Sequence, residues 1–466
     1  MRFARTAAIC ACLTSGCTVG PDYKRPVMAA PAQHRFVEGP AQAASLADAP
    51  WATVFADPVL QDLIREALAA NLDLRIAAAR VEQARARAGI AKSFLYPGIN
   101  AVGGYAVNQV SRDSQPAGAQ EGDDRTFQNW NLGVQMSWEL DLFGRVKRGS
   151  EAASAVFLST EFGRRAVLVA LVGDVSATYF RLRELDLQLE IGQRTLKLND
   201  ETIGYFTNRL QGGVSNRLEV DQVTANRALT AATLPQIEQD IAITEHALSL
   251  LLGRVPGAIA RGSTLAEQKI PPQIPAGLPA ALLERRPDVL AAEQLLVAAN
   301  ADIGAAKALF YPNISLTGLL GGVSNDLTGI LGGGAGVWSI GASVLQPIFN
   351  GKRLKRNYEA TLAQYQEALA SYQRTALISY REVADSLVTI QKLREVRVQR
   401  ELSTAALTNA AQLSRARYQS GLASYLEILI SDQRLYEQEL LLAQTRGAEL
   451  RAVTDLYRSL GGGWQQ

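Results

Sequence analysis

Along most of this chain apolar residues recur every three or four positions, and in two short windows they switch to every second position. Lys352 to Tyr418 contains neither proline nor glycine. Its apolar side chains fall on a narrow seam, Leu362, Tyr365, Leu369, Tyr372, Ala376, Val383, Leu387 and Ile390, and the other faces are mostly polar or small. That spacing predicts one long helix with a coiled-coil-like seam. A proline-free counterpart runs from about Arg148 to Leu210 with scattered glycines. About 60 helical residues make a rod of about 90 Å, far longer than the helices of ordinary globular domains. Pro235, in the helix that follows, predicts a local kink.

The alternating windows read as strands. In Trp130–Trp138, "WNLGVQMSW", Trp130, Leu132, Val134, Met136 and Trp138 fall on one face and Asn131, Gly133, Gln135 and Ser137 on the other. "NISLTGLL" sets Ile314, Leu316, Gly318 and Leu320 against Asn313, Ser315 and Thr317. A lipid-facing, water-lined barrel strand has this pattern over about ten residues. A half-buried soluble sheet shows it too, but tryptophans at both ends of one strand suit two membrane interfaces. Two hairpins, about 98–138 and 313–346, give four strands per chain, whereas single-chain transmembrane barrels begin at about eight. Four strands leave two open edges, and hydrocarbon offers an open edge no partners. Either the strands lie outside a membrane or several chains pool them; three chains would supply twelve.

The chain writes one plan twice. "RLQGGVSNRLEV" (Arg209–Val220) aligns without a gap on "RYQSGLASYLEI" (Arg417–Ile428), placing Arg209 on Arg417, Gly213 on Gly421 and Glu219 on Glu427. Upstream, "GIAKSFLYPGI" (Gly89–Ile99) pairs with "GAAKALFYPNI" (Gly304–Ile314). A unit of about two hundred residues is therefore duplicated in tandem. Repeat one covers 58–253, with a helical region Pro58–Phe94, a β-hairpin and a helical hairpin whose tip is about 211–217. Repeat two covers 279–461, with a helical region Pro279–Leu309 that restarts near Pro287, a β-hairpin and a tip about 419–425. Residues 254–278 link them, and 462–466 form a tail. The fold class is mainly α with a small β part.

Composition removes several functions. Charge is nearly balanced, 47 Lys+Arg against 45 Asp+Glu, so no nucleic-acid partner is implied. The cysteines are Cys10, Cys12 and Cys17, and the histidines His34 and His246. A zinc site or His-based catalytic dyad lacks its pieces. No GxxxxGK[ST] phosphate loop occurs, and no enzyme or cofactor site can be assembled. Methionine is sparse, Met28 and Met136 beyond the initiator, which argues against a copper-specific exporter. No stretch of about 20 consecutive apolar residues offers a transmembrane helix. Residues 1–16 read as a secretory signal. Ser15-Gly16-Cys17 resembles a bacterial lipoprotein signal, cut before a cysteine that then carries acyl chains, although Thr14 fills the slot where such signals usually carry leucine. Residues 17–57 would then be a lipid-anchored extended segment, and Thr18 after the cysteine favours the outer membrane.

The ordered stretches "VGPDYKRP", "WELDLFGRVKRG", "LLERRPDVLAAEQ", "AAKALFYPNISLTG", "LQPIFNGKRLK" and "SLGGGW" resemble the TolC-like outer-membrane efflux factors, in particular the lipoprotein (NodT-type) branch serving tripartite RND drug pumps. The resemblance covers almost the whole mature chain. It implies a homotrimer whose twelve strands close one barrel on a periplasmic α-helical barrel. It also implies an adaptor protein, an inner-membrane RND-type pump and passive transport of drugs or other small molecules. The two repeated turns, with Gly212, Gly213 and Gly421, would form the periplasmic gate. There Glu219, Asp221 and Glu427 would make acidic rings, although acids are favoured in any first helical turn. Leu426 and Ile430 offer an apolar constriction instead, and Arg209 and Arg417 are candidates to pair with the acids. Two other readings stay open: an outlet for type I protein secretion, and a lipid-anchored periplasmic coiled coil whose strands form a soluble sheet.

Overall fold

The computed structural model describes residues 18–31, 45–109, 111, 126–268, 277 and 279–462; Cys17 and the signal lie outside them. The main elements are α1 (Pro58–Ala70), α2 (Leu72–Ser93), β1 (Gly98–Gln109), β2 (Thr126–Leu140), α3 (Arg145–Gln211), α4 (Arg217–Leu251), α5 (Pro287–Ala308), β3 (Asn313–Ser324), β4 (Gly336–Leu345), α6 (Arg353–Gln419) and α7 (Tyr425–Ser459). Short helical turns at Trp51–Val54 and Leu282–Arg285 complete the helices that matter here. The chain folds as two compact units. One gathers Met1–Pro26, Val81–Thr160 and Ala292–Tyr372; the other gathers Val27–Arg80, Glu161–Ala291 and Gln373–Gln466.

The first unit carries the sheet. Its four strands form an antiparallel meander in the order β1-β2-β3-β4. The register puts Ile99 opposite Met136, Tyr105 opposite Trp130, Val134 opposite Leu320 and Leu320 opposite Trp338. Apolar residues of all four strands therefore share one face. Asn100, Asn131, Gln135, Thr317 and Ser339 occupy the other. Not one residue of the four strands is buried. A soluble sheet must bury one face to be stable, and the described residues of this chain bury neither face. Gly133 and Gly321 stand directly opposite each other where β2 meets β3. A Cβ on Gly321 would lie 2.3 Å from the Leu132 carbonyl oxygen, so only glycine fits there.

Residues Thr18–Pro26 form an extended strap on this unit. The Val19 N–H donates to the Phe143 carbonyl, and Asn300 donates to the Pro21 carbonyl. Asp22 pairs with Arg148 at 2.7 Å, while Tyr23 and Arg25 both donate to Glu293. Thr18 lies against Gly144, between the end of β2 and the start of α3. Helix α5 is long and apolar enough to cross a membrane by length and composition, contrary to the sequence expectation. Its Glu293 and Asn300, tied to the strap, are protein contacts, as in a packed helix.

The second unit holds the hydrophobic core. Leu60, Leu63, Ile64 and Ala67 of α1 recur at helical spacing and pack on Val172, Val175, Tyr179 and Leu182 of α3. Leu248, Val383, Leu387, Leu450, Val453 and Leu456 close the cluster. The predicted seam of α6 is buried from Tyr372 onward, but Leu362 at its start is 38% exposed. Tyr365 and Leu369 between them are half-buried, so the described residues close this end of the seam only in part.

The first helical region is not continuous. It breaks at buried Asn71, whose Nδ2 donates to the Leu251 carbonyl and whose Oδ1 accepts from the Leu74 N–H. One side chain thus satisfies the end of α4 and the start of α2. Helix α4 runs unbroken through Pro235. Among the described residues two carboxylates, Glu184 and Glu449, are fully buried. Glu184 is held by Arg181, by Arg451 at 2.5 Å and by Gln188 at 3.0 Å. Glu449 is held by Arg394 at 3.2 Å and Arg397 at 2.9 Å. In "LLERRPDV", buried Arg286 grips Asp288 with two nitrogens, pairs with Glu382 and donates to the Ser459 carbonyl at the end of α7. That motif fastens the end of the last helix.

Candidate functional site

Both repeated turns lie in the second unit, and each closes its helix in the same way. Gly213 and Gly421 adopt φ of +75° and +74°, the left-handed region that glycine enters without a Cβ penalty. The Gly213 N–H donates to Leu210 and the Val214 N–H to Arg209; Gly421 donates to Tyr418 and Leu422 to Arg417. This double pattern is a Schellman cap. Gly212 takes no left-handed conformation, and its N–H donates to Asn208. The starts of the returning helices differ. The Asn216 side chain caps α4 by accepting from the Glu219 N–H at 3.0 Å, whereas Ser424 makes no side-chain cap.

Aromatic packing joins the two hairpins of a chain. Phe206, Val223, Tyr425 and Ile428 are buried together, with Tyr418 against them. The Phe206 ring meets Tyr425 edge-on at 4.5 Å and Tyr418 at 5.8 Å. Burial raises the Tyr425 hydroxyl pKa above the usual phenol range. Close by in sequence, Arg415 pairs with Asp432 at 2.7 Å. Burial pushes the Asp432 carboxyl up, and Arg415 pulls it back only in part.

The charged candidates take different roles. Arg209 donates to the Tyr205 hydroxyl and the Val214 carbonyl, and its guanidinium lies over the Tyr205 and Tyr418 rings at 5.5 and 5.9 Å. It therefore bridges hairpin one to hairpin two by a cation–π contact. Arg417 faces Glu427 at 3.5 Å and donates to the Leu422 carbonyl. Glu219 accepts from the Ser215 hydroxyl, and Asp221 pairs with Arg217 at 2.9 Å. Arg209, Gly213, Glu219, Tyr418 and Gly421 border one open hollow of about 630 Å³ between the turns. Asp221, Leu426, Glu427 and Ile430 are outside its lining; Leu426 and Ile430 are 50% and 42% exposed. Sequence reading missed Phe206, Asn216 and the Arg415–Asp432 pair. The signal for part of this was the tyrosines flanking the second turn, Tyr418 and Tyr425.

Among the described residues no group of His, Cys, Asp and Glu is arranged to hold a metal ion. The model of one protein family, "outer membrane efflux protein", matches residues 63–254 and 278–462. The cation efflux system protein CusC of Escherichia coli O6:H1 is 34% identical over 455 residues, covering 97% of each chain. The toluene efflux pump outer membrane protein TtgI of Pseudomonas putida is 34% identical over 477 residues, covering 100% of this chain and 99% of that one. The solved outer-membrane channel OprN superposes with a TM-score of 0.89 at 31% identity, over 97% of this chain and 100% of that one.

Proposed function

The chain belongs to the outer membrane efflux protein family, and from that premise we propose that three copies close one transmembrane barrel and act as a passive exit duct. The chain is the outer-membrane channel component of an efflux system, with helices extending into the periplasm. The carrying observation is the sheet. It has an apolar face and a polar face, both exposed, and among the described residues β1 and β4 each leave an outer edge unpaired. Bare edges are excluded from hydrocarbon, and three four-stranded sheets joined edge to edge remove them all.

The hairpin tips are the gate. Glu427 is engaged by Arg417 of its own chain, which favours the exposed Leu426 and Ile430 as the constriction, with Glu219 and Asp221 lining its approach. A periplasmic adaptor and an inner-membrane RND-type pump open the tips and supply the energy. Cargo is drugs or other small molecules, selected by the pump, in keeping with relatives named for cation and toluene efflux. Cys17 carries the acyl anchor, and the strap supports this by holding Thr18 beside the foot of β2. Extraction tests the reading. The Cys17→Ser protein still requires detergent and migrates as a trimer after cross-linking. Release by salt alone, or a stable single chain in lipid, refutes it.

A further inference from the structure

The duplication writes one basic tetrapeptide twice where sheet gives way to helix: Arg145-Val146-Lys147-Arg148 in repeat one and Arg353-Leu354-Lys355-Arg356 in repeat two. The first copy is answered within the chain. Glu139 holds Arg145 with two oxygens at 2.8 and 2.6 Å, and Arg148 lies between Asp22 at 2.7 Å and Glu151 at 2.9 Å. Phe143, just ahead, is stacked on Tyr311 with ring centroids 4.8 Å apart.

The second copy has no such answer. Among the described residues Arg356 and Lys355 share a single ion-pair partner, surface Glu359, at 2.7 and 3.9 Å. Lys352 and Arg353 form no ion pair among the described residues, and both are exposed. Just before them Ile348 and Phe349 are 95% and 91% exposed. They follow in sequence the exposed apolar residues Trp338, Ile340 and Val344 of β4, which lie on the apolar face that the proposed barrel turns to lipid. The step from apolar pair to cations is a tight turn at Asn350-Gly351-Lys352, closed by the Arg353 N–H on the Asn350 carbonyl.

We propose that Pro347–Arg356 is a lipid-binding finger. Ile348 and Phe349 enter the acyl layer of the leaflet facing the periplasm, and Lys352, Arg353 and Lys355 hold the phosphate of an anionic phospholipid. Two features select this occupant. The apolar half comes directly after β4, three residues beyond its end, and the cationic half is complementary to an anionic headgroup. Long Lys and Arg stems let the charge reach headgroup level while the methylenes stay in apolar surroundings. Repeat one has no equivalent site, because its two arginines are already held.

The inference rests on the outer-membrane placement of the strands, and its test separates the two. Purified protein in nanodiscs of mixed phosphatidylcholine and phosphatidylglycerol is transferred to mild detergent, and retained lipid is counted by mass spectrometry. Wild type retains phosphatidylglycerol over phosphatidylcholine at low salt and loses the preference at high salt, a comparison that needs no variant. Lys352→Ala with Arg353→Ala and Lys355→Ala lowers the retention ratio about tenfold or more, and Arg353→Gln alone lowers it by about fivefold. Equal retention of both lipids by wild type, or an unchanged ratio in the triple variant, overturns the site. If Ile348→Ala with Phe349→Ala dissociates the oligomer while phosphatidylglycerol retention stays at wild type, the patch is a seam between copies and the proposal fails. An oligomer that conducts normally with no lipid preference removes the lipid site and leaves the duct standing.

Discussion

Replacing Arg417 by alanine removes two restraints on the second tip, the ion pair to Glu427 and the hydrogen bond to the Leu422 carbonyl. The pair is 3.5 Å long, with side chains 54% and 49% exposed. Water and salt screen such a pair, so about 0.3–0.5 kcal/mol per chain is the expected scale. In the proposed trimer three such pairs acting together give about 1–1.5 kcal/mol, a shift of about five- to tenfold toward an open tip. In planar bilayers Arg417→Ala therefore raises open probability by that factor. Combining it with Glu427→Gln adds little, because both changes delete one interaction. The difference from wild type shrinks near 1 M salt, where the screening length is about 3 Å. Unchanged conductance in the double variant, or fully additive effects, refutes a gating role for this pair.

Other perturbations test other parts of the molecule. Glu449→Ala removes the ion pairs to Arg394 and Arg397 and lowers stability by about 1–3 kcal/mol, read as a lower unfolding temperature, with Glu449→Gln milder. Gly321→Val forces β2 and β3 apart, and the oligomer fails to assemble on native gels. The folded-state pKa of Asp432 is raised by burial, so its stabilising contribution is full below the ordinary Asp range, about 3.9, and is lost as pH climbs through the raised value. Hydrogen exchange at the tip, corrected for its intrinsic pH dependence, should thus quicken from acid toward neutral pH, and Asp432→Asn should flatten that trend.

Periodicity made the long helices and the strand faces legible, because each rests on spacing along the chain. The face shared by Trp130, Leu132, Val134 and Met136 follows from alternation alone. Register across strands then extends it to Trp338 and Ile340. The turn glycines Gly213 and Gly421 were legible because duplication marks them twice. What stayed hidden depends on distant partners. Glu184 meets Arg451 and Asn71 meets Leu251 far along the chain, and no local pattern announces either. Arg209 reads as a partner for the tip acids that locks neighbouring hairpins, and in the structure its guanidinium lies over a tyrosine ring of the other hairpin. The half-closed seam of α6 was hidden for a different reason: spacing shows that a stripe is apolar but leaves open whether the same chain covers it.

The meander begins with a strand from one repeat and ends with a strand from the other. Wherever copies meet edge to edge, the halves alternate around the circumference, as a ring of half-length ancestors would. One tip carries an asparagine cap and the other a serine that makes no side-chain cap, so the proposed trimer has two kinds of lip alternating around its mouth.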